Sequence, residues 1–279
     1  MLQYFPKRNY RPTFQKASVP TLAYICNVGP EASYMPRSLH EHPHLAEILL
    51  LYSGAGIYMI DGRRYTAQKG DLILYNSHVV HDEHGGSGSG LGTYCAAISG
   101  LVIDGLPAGH ILPQELSPVQ SAGEDFEEFF ALFTAIEKEA PRHPETAHYL
   151  TLALVTKTTA LLADCGQPEA AAVPTLVKEA RAYIDQNYKE AICLADIARA
   201  THTNPYYLAH LFKEEIGLSP MKYVALRRMG EAQNLLINTE MSITQIAAHV
   251  GYNNSNYFQS VFKRAMGMTP REYRTRWVR

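Results

Sequence analysis

A duplication in the final third of the chain constrains its fold more than any other feature. Leu208-Ala209-His210-Leu211-Phe212-Lys213 aligns with Phe258-Gln259-Ser260-Val261-Phe262-Lys263 at an offset of 50. The same offset carries Gly217 to Gly267, Ser219-Pro220 to Thr269-Pro270 and Tyr223 to Tyr273. Upstream the offset becomes 49, with Asp196-Ile197-Ala198 matching Gln245-Ile246-Ala247. A one-residue slip between two matching blocks implies a length change in the turn between two helices. Two copies are too few to stack as a solenoid, which needs about three or more. A pair of helix-turn-helix units fits better.

Local signals agree with that reading. In the first copy Leu194 to Ala200 supplies a short helix, with the small Ala198 facing its neighbour, and Thr201-His202-Thr203 makes the turn. Asn204-Pro205 starts the next helix, because Asn caps free N–H groups and Pro at the first helical position loses nothing by lacking one. In the second copy Ser242-x-x-Gln245 is a capping box, Gly251 lies in the turn, and Asn253 or Asn254 caps the following helix. Ser219-Pro220 begins a longer helix through Met221, Val224, Leu226, Met229 and Leu235, which sets the distance between the units. Tyr207, Phe212, Phe258, Phe262 and Tyr273 recur at helical spacing and are expected in the core.

A chain of 279 residues suits two domains better than one. Its 46% hydrophobic and 19% charged residues place it in the globular class rather than the disordered or fibrous ones. The net charge of −2 conceals an asymmetry: from residue 174 onward 14 Lys+Arg against 9 Asp+Glu gives +5, and the preceding part carries −7. A basic end on an acidic body points toward a polyanion. Cys26, Cys95, Cys165 and Cys193 are scattered with no CxxC pair, which argues against a disulfide scaffold or zinc finger. No secretory leader and no membrane-spanning apolar run is legible, so the expected compartment is the cytoplasm, with no membrane partner.

Residues 20 to about 100 read as short strands. Ile48 to Tyr52 and Ile57 to Ile60 are apolar runs. Asp61-Gly62 is a hairpin turn, Arg63 to Ala67 the return strand, and Gly70-Asp71 a further turn before Leu72 to Tyr75. This spacing indicates an antiparallel barrel or sandwich, and Gly85 to Gly92 a flexible connection. Beyond Pro113, Phe126, Phe129, Phe130, Phe133 and Ile136 form one amphipathic helix, and Leu150, Leu154, Thr158, Leu161 and Leu162 another. Their packing partner is open at this point: each other, the barrel or a second subunit. Gly166 to Pro174 reads as a linker. The predicted division is an all-β barrel over 1–112, a helical dimerisation segment with linker over 113–173, and an all-α double helix-turn-helix over 174–279.

The run YLAHLFKEEIGLSPMKYV, followed by ITQIAAHVGYNNSNYFQSVFKRAMGMTPREYR, resembles the double helix-turn-helix domain of the AraC/XylS family of transcription regulators. That resemblance implies seven helices, promoter double-stranded DNA as the target, and contact with RNA polymerase when activating. Carried over by position, the base-facing residues are Tyr206, Ala209 and His210 in the first recognition helix, and Ser255, Asn256, Tyr257 and Ser260 in the second. Both copies of the family pattern commonly place Arg where this chain has His210 and Ser260. Arginine reads guanine bidentately, worth about 1–3 kcal/mol, so its double loss points to an unusual operator or a larger share of phosphate contacts. The candidates for those contacts are Asn204, Lys213, Asn254, Lys263, Arg264 and Arg271, with Arg227, Arg228 and Arg274 beside them.

The first half holds a second constellation. His40, His42, Glu47 and Gly54, then Gly70, Asn76, His78 and His81, are spaced like the two cupin motifs, in which three His and one Glu converge on a metal inside a barrel. Alternate residues on a strand share a face, so His40 and His42 point the same way, and such a donor set suits Zn, Fe, Mn or Ni. Three positions depart from the motifs: Tyr34 for Gly, Asn76 for Pro and His78 for Gly. The AraC/XylS family commonly carries a cupin-like sensor that binds a small effector without metal, so the competing expectation is a polar ligand pocket. His44, His78 and His84 have no assigned role; Arg37, Glu41, Tyr58 and Tyr75 are further candidates for ligand contact. The leading expectation is a homodimeric, ligand-responsive transcription regulator and not an enzyme, its effector a sugar or sugar acid. The alternatives are a cupin metalloenzyme, an isomerase or oxygenase with a DNA-binding tail, and a regulator that responds to the metal itself.

Overall fold

The computed structural model describes residues 13–14, 19–30, 37–83, 90–163, 165 and 173–277. Tyr34, His84, most of the Gly85–Gly92 connection and most of the Gly166–Pro174 linker lie outside them. The expected strands form, and they assemble into two antiparallel sheets. One has the order β1 (Thr21–Val28), β8 (Gly92–Ser99), β3 (Leu45–Ser53), β6 (Asp71–Tyr75), β9 (Val119–Ser121). The other has the order β2 (Arg37–His40), β7 (His81–Glu83), β4 (Ala55–Ile60), β5 (Arg63–Gln68). The β4–β5 hairpin closes on Asp61 and Gly62, with φ of 50° and 74°, the double left-handed turn that Asp-Gly favours.

The continuous apolar run in β3 has a physical explanation. Leu49 and Leu51 face the opposite sheet and pack with Tyr58, Ile60, Ile73 and Tyr75. Ala46, Ile48 and Leu50 face the other way, against Phe129, Phe133 and Leu154. Both faces are therefore buried, and strict alternation is not required. The outer layer is α1 (Phe126–Glu139) and α2 (Pro144–Ala163). The aromatic stripe of α1 thus packs on the sheet and on α2, with Phe129, Phe133 and Ile136 fully buried. The sheet also continues past residue 112, because β9 pairs with β6; three residues are too few to show a periodicity in sequence.

Asn76, at one of the cupin-motif departures, holds a loop. Its Nδ2 donates to the Leu112 carbonyl at 2.8 Å, and its Oδ1 accepts from Ile111 N and Leu112 N, each at 2.9 Å. Asn76→Ala should cost about 2–3 kcal/mol in denaturant unfolding, since it strands partly buried backbone groups. A change below about 0.5 kcal/mol, the level of an ordinary surface substitution, would contradict this role.

Seven helices follow among the described residues: α3 (Thr175–Asn187), α4 (Leu194–Ala200), α5 (Pro205–Ile216), α6 (Pro220–Asn238), α7 (Ile243–His249), α8 (Ser255–Met266) and α9 (Pro270–Trp277). The repeat is reproduced in three dimensions. The turn Val250–Asn254 is one residue longer than Thr201–Asn204, which accounts for the shift in offset. Asn204 Oδ1 accepts from Tyr206 N at 2.8 Å, and Asn254 Oδ1 from Tyr257 N at 3.0 Å. Both following helices end on a left-handed glycine, Gly217 at φ 77° and Gly267 at φ 74°.

The two halves pack directly on one another through β2 and α6. Ser38 N donates to Gln233 Oε1 at 2.8 Å, and Arg37 Nη2 to Asn234 Oδ1 at 2.8 Å. Leu39, Met59 and Val80 join a core cluster with Val177, Phe212 and Val224. Arg227, 2% exposed, donates from Nη2 to Glu41 at 2.6 Å and from Nε to Asp185 at 2.7 Å. Arg37 and Glu41 therefore take part in the interface between the halves, and Arg37 Nε stays buried with no hydrogen-bond partner among the described residues.

Candidate nucleic-acid interface and buried histidine cluster

The first recognition helix, α5, buries Leu208, Phe212 and Ile216 and turns the opposite face outward. Tyr206 is 88% exposed, His210 is exposed 3.8 Å from Glu214, and Ala209 is half-buried. In α8, Phe258, Phe262 and Met266 are buried, Asn256, Tyr257 and Ser260 are exposed, and Ser255 is half-buried. The Ser260 hydroxyl donates to the Asn256 carbonyl at 3.0 Å, so its one donor is engaged within its own helix. Lys213, Lys263, Arg264 and Arg271 are exposed. Asn204 and Asn254 are exposed too, and their side-chain oxygens act as caps.

Four sequence expectations need correction here. Tyr207 is not core but 59% exposed, matching Tyr257 at the equivalent repeat position, because Leu208 takes the buried site next to it. Arg227 is buried between two carboxylates and offers nothing to a phosphate. Arg228 donates to the carbonyls of Tyr188 and Glu190 at 2.6 and 2.7 Å. Arg274 donates to Leu236, Thr239 and Met241 carbonyls, at 2.6 Å for the last. These three arginines close turns and the interface between the halves. A positive charge is legible in sequence, whereas the carbonyls awaiting it come from distant segments.

The histidines expected to converge do so. Strand register sets His40 opposite His81 and Glu47 opposite Tyr75. His81 Nε2 lies 3.1 Å from Glu47 Oε2, and His42 Nε2 lies 3.7 Å from Glu47 Oε1. One ring nitrogen from each of His40, His42 and His81 falls within 4.8 Å of the others. His40 Nδ1 donates to the Ser38 carbonyl at 2.7 Å and His81 Nδ1 to the Val79 carbonyl at 2.9 Å; a carbonyl only accepts, so the ring proton sits on Nδ1. Tyr24 donates its hydroxyl to Glu47 Oε1, and the Tyr75 ring stacks on His81 at 3.8 Å. His44 and His78 are exposed, and the His78 amide donates to the His42 carbonyl at 3.1 Å.

The electrostatics follow from burial and neighbours. Burial, with the Arg37 guanidinium adding, pushes His40 well below the ordinary imidazole value. Burial, only partly offset by Glu47, brings His42 down to about 4. Burial opposes ionisation of Glu47, but His81, His42 and the Tyr24 hydrogen bond outweigh it and hold the carboxyl far below the carboxylate range. At neutral pH the site thus presents an ionised carboxylate and neutral imidazoles at His40 and His42, the forms in which these groups bind metals. Sequence reasoning missed Glu83, which lies 4.0 Å from His40 Nε2. The available signal was its position two residues after His81 on a strand, hence on the same face.

A β-sheet sensor packed against two capped helix-turn-helix units is the architecture of a ligand-binding, DNA-binding regulator. Residues 28–153 match the family model of the AraC-like ligand binding domain, and residues 197–276 match that of a helix-turn-helix domain. The chain belongs to the AraC family of transcriptional regulators. It is 27% identical over 242 residues to the uncharacterized HTH-type transcriptional regulator YdiP of Escherichia coli K12, covering 84% of this chain and 80% of that one. It is 26% identical over 275 residues to the HTH-type transcriptional activator RhaR of Yersinia pestis, covering 88% of each. Among solved structures, the C-terminal domain of AraT, a response regulator from Geobacillus stearothermophilus, is 34% identical over 39% of this chain and 91% of that one, with a TM-score of 0.38. Among the described residues no helix is long and apolar enough to cross a membrane.

Proposed function

We infer that this regulator reads promoter DNA with α5 and α8 as a homodimer, contacts RNA polymerase when it activates, and responds to a small polar effector, with a sugar or sugar acid as the leading candidate. No catalytic turnover is assigned to it. The observation that carries the DNA reading is the repeat itself. At equivalent positions of two capped helices it exposes Tyr207 with Tyr257, His210 with Ser260 and Lys213 with Lys263, while the opposite faces are buried. Exposed tyrosines and amides suit base edges and sugars, and lysines suit phosphates. The effector reading rests on polar atoms inside the sensor. The Tyr58 and Tyr75 hydroxyls are buried without hydrogen-bond partners among the described residues, and such atoms call for water, an ion or a ligand.

The DNA reading is tested with sites selected by the full chain from a random duplex pool. Lys263→Ala should weaken binding to selected and random duplex alike and reduce the salt slope by about 1. Asn256→Ala should change the preferred sequence at one position, at a cost of about 1–3 kcal/mol on the selected site. Equal loss on both duplexes for Asn256→Ala would remove that residue from the base edge.

A further inference from the structure

We propose that His40, His42, His81 and Glu47 hold a single divalent transition-metal ion, and that this ion fixes how the sensor strand β2 docks on helix α6 of the DNA-binding half. Four atoms carry the first part: Nε2 of the three histidines and Oε2 of Glu47 are all buried and have no hydrogen-bond partner among the described residues. Natural proteins leave few buried polar atoms unpaired, and four in one cluster mark a missing bonded species. The Nδ1 proton of His40 is spent on the Ser38 carbonyl, so the Nε2 of this neutral imidazole bears a lone pair. His81 Nδ1 is likewise engaged by the Val79 carbonyl, which turns its Nε2 into the cluster. A carbonyl partner on the far nitrogen is the outer-shell bond that orients a metal-ligating histidine. His81 Nε2 and Glu47 Oε2 approach to 3.1 Å, and a cation between them would bind both. Three imidazole nitrogens with one carboxylate favour a first-row transition metal over calcium or magnesium, which take oxygen ligands.

The second part follows from the two sides of β2. His40 and His42, on and just after this strand, supply two of the four ligands. Between and around them Ser38 N bonds Gln233, Leu39 packs on α6, and Glu41 bonds Arg227. Gln233 continues to the Tyr273 hydroxyl at 3.0 Å, in the second helix-turn-helix unit. Metal bonds of about 2.0–2.1 Å to nitrogen fix the spacing of His40 and His42 from Glu47 and His81, and with it the position of β2. Any consequence for transcription rests on the DNA reading above; the metal and the docking do not.

The test uses the full chain, stripped with a chelator and titrated with Co2+. The expected result is one cobalt per chain, with ligand-field absorption bands of a nitrogen-containing site. His42→Ala, at the more open end of the cluster, should weaken cobalt by more than about a hundredfold, beyond what loss of an outer partner costs. Glu47→Gln, a near-isosteric change, is the second variant, and thermal melts verify that both fold. Hydrogen exchange should show added protection at residues 37–41 and 224–234 on metal binding. Absence of stoichiometric cobalt, or binding that survives both variants, overturns the metal site; so does equal melting of chelated and loaded chain. Cobalt bound at the cluster with unchanged exchange at β2 and α6 overturns the docking role. The same samples are titrated with selected duplex, where a change of about fivefold or more is expected. No DNA binding in any metal state, with the cobalt spectrum intact, would defeat the DNA reading and leave the metal site standing.

Discussion

Replacing Arg227 with alanine is expected to cost the full chain about 3 kcal/mol of stability, more than any change on the DNA-facing surface. Arg227 is 2% exposed, and its guanidinium joins Asp185 of α3 to Glu41 of the sensor half while lying 4.8 Å over the Tyr188 ring. Removing one member of a buried charge group leaves the others desolvated and unpaired, which costs about 3–5 kcal/mol. The lower end applies because Asp185 and Glu41 keep part of their surface in water. Arg227→Lys should recover only part of the loss. One ammonium cannot reproduce the fork that reaches Asp185 with Nε and Glu41 with Nη2.

The pH dependence of that variant has a definite sign. Burial raises the Asp185 pKa above its ordinary value, with Arg227 opposing. An acid whose folded pKa is raised favours the fold most when protonated, so its contribution falls as pH rises from the unfolded pKa through the folded one. Without Arg227 the folded pKa rises further, and the decline extends upward. The deficit of Arg227→Ala, from denaturant melts of variant and parent, should therefore be larger at about pH 7 than at about pH 5. A deficit that shrinks with pH would show that Arg227 and Asp185 are not coupled as described.

Gly230→Ala is the second large effect, and its sign is the opposite of what helix propensity gives. In an exposed helix interior, Gly to Ala stabilises by about 1 kcal/mol. At Gly230 a Cβ would stand 2.1 Å from the Leu39 carbonyl oxygen and 2.7 Å from its carbon. Those are backbone atoms of β2, which pairs with β7 and cannot rotate aside. The expected outcome is a net loss of about 1–3 kcal/mol, the cost of overpacking a close contact. Faster exchange of the Ser38 amide, whose bond to Gln233 spans the same gap, should accompany it. A stabilised variant would mean that the two halves do not approach each other this closely.

What could be read in advance was local or periodic. The caps at Asn204 and Ser242, the Asp61-Gly62 turn and the extra residue in the second turn depend on chain neighbours and form as read. Of the two candidates Asn253 and Asn254, it is Asn254 that caps α8. The four-residue set His40, His42, Glu47 and His81 was legible too, from its motif spacing, although strand parity does not account for it, since β2 ends at His40 and His42 lies beyond it. Tyr207 was misread because an aromatic at helical spacing fits either face at the start of a helix, where adjacent Leu208 decides. Arg227, Arg228 and Arg274 were misread because a cation is identical in sequence whether it meets phosphate, carboxylate or carbonyl.

The amino-acid order by itself determined two helix-turn-helix units, a strand-rich half before them and a histidine–glutamate set within it. Each of these is specified by spacings of a few residues or by a repeat of one pattern. Tertiary structure alone decided that β2 rests on α6, that Gly230 must lack a side chain, and that Arg227 holds Asp185 and Glu41 together. The contacts between the halves join residues nearly two hundred positions apart, as in Arg227 with Glu41. They exist only once both domains have folded and desolvated a shared surface, because burial is what turns an ordinary charge or glycine into a constraint.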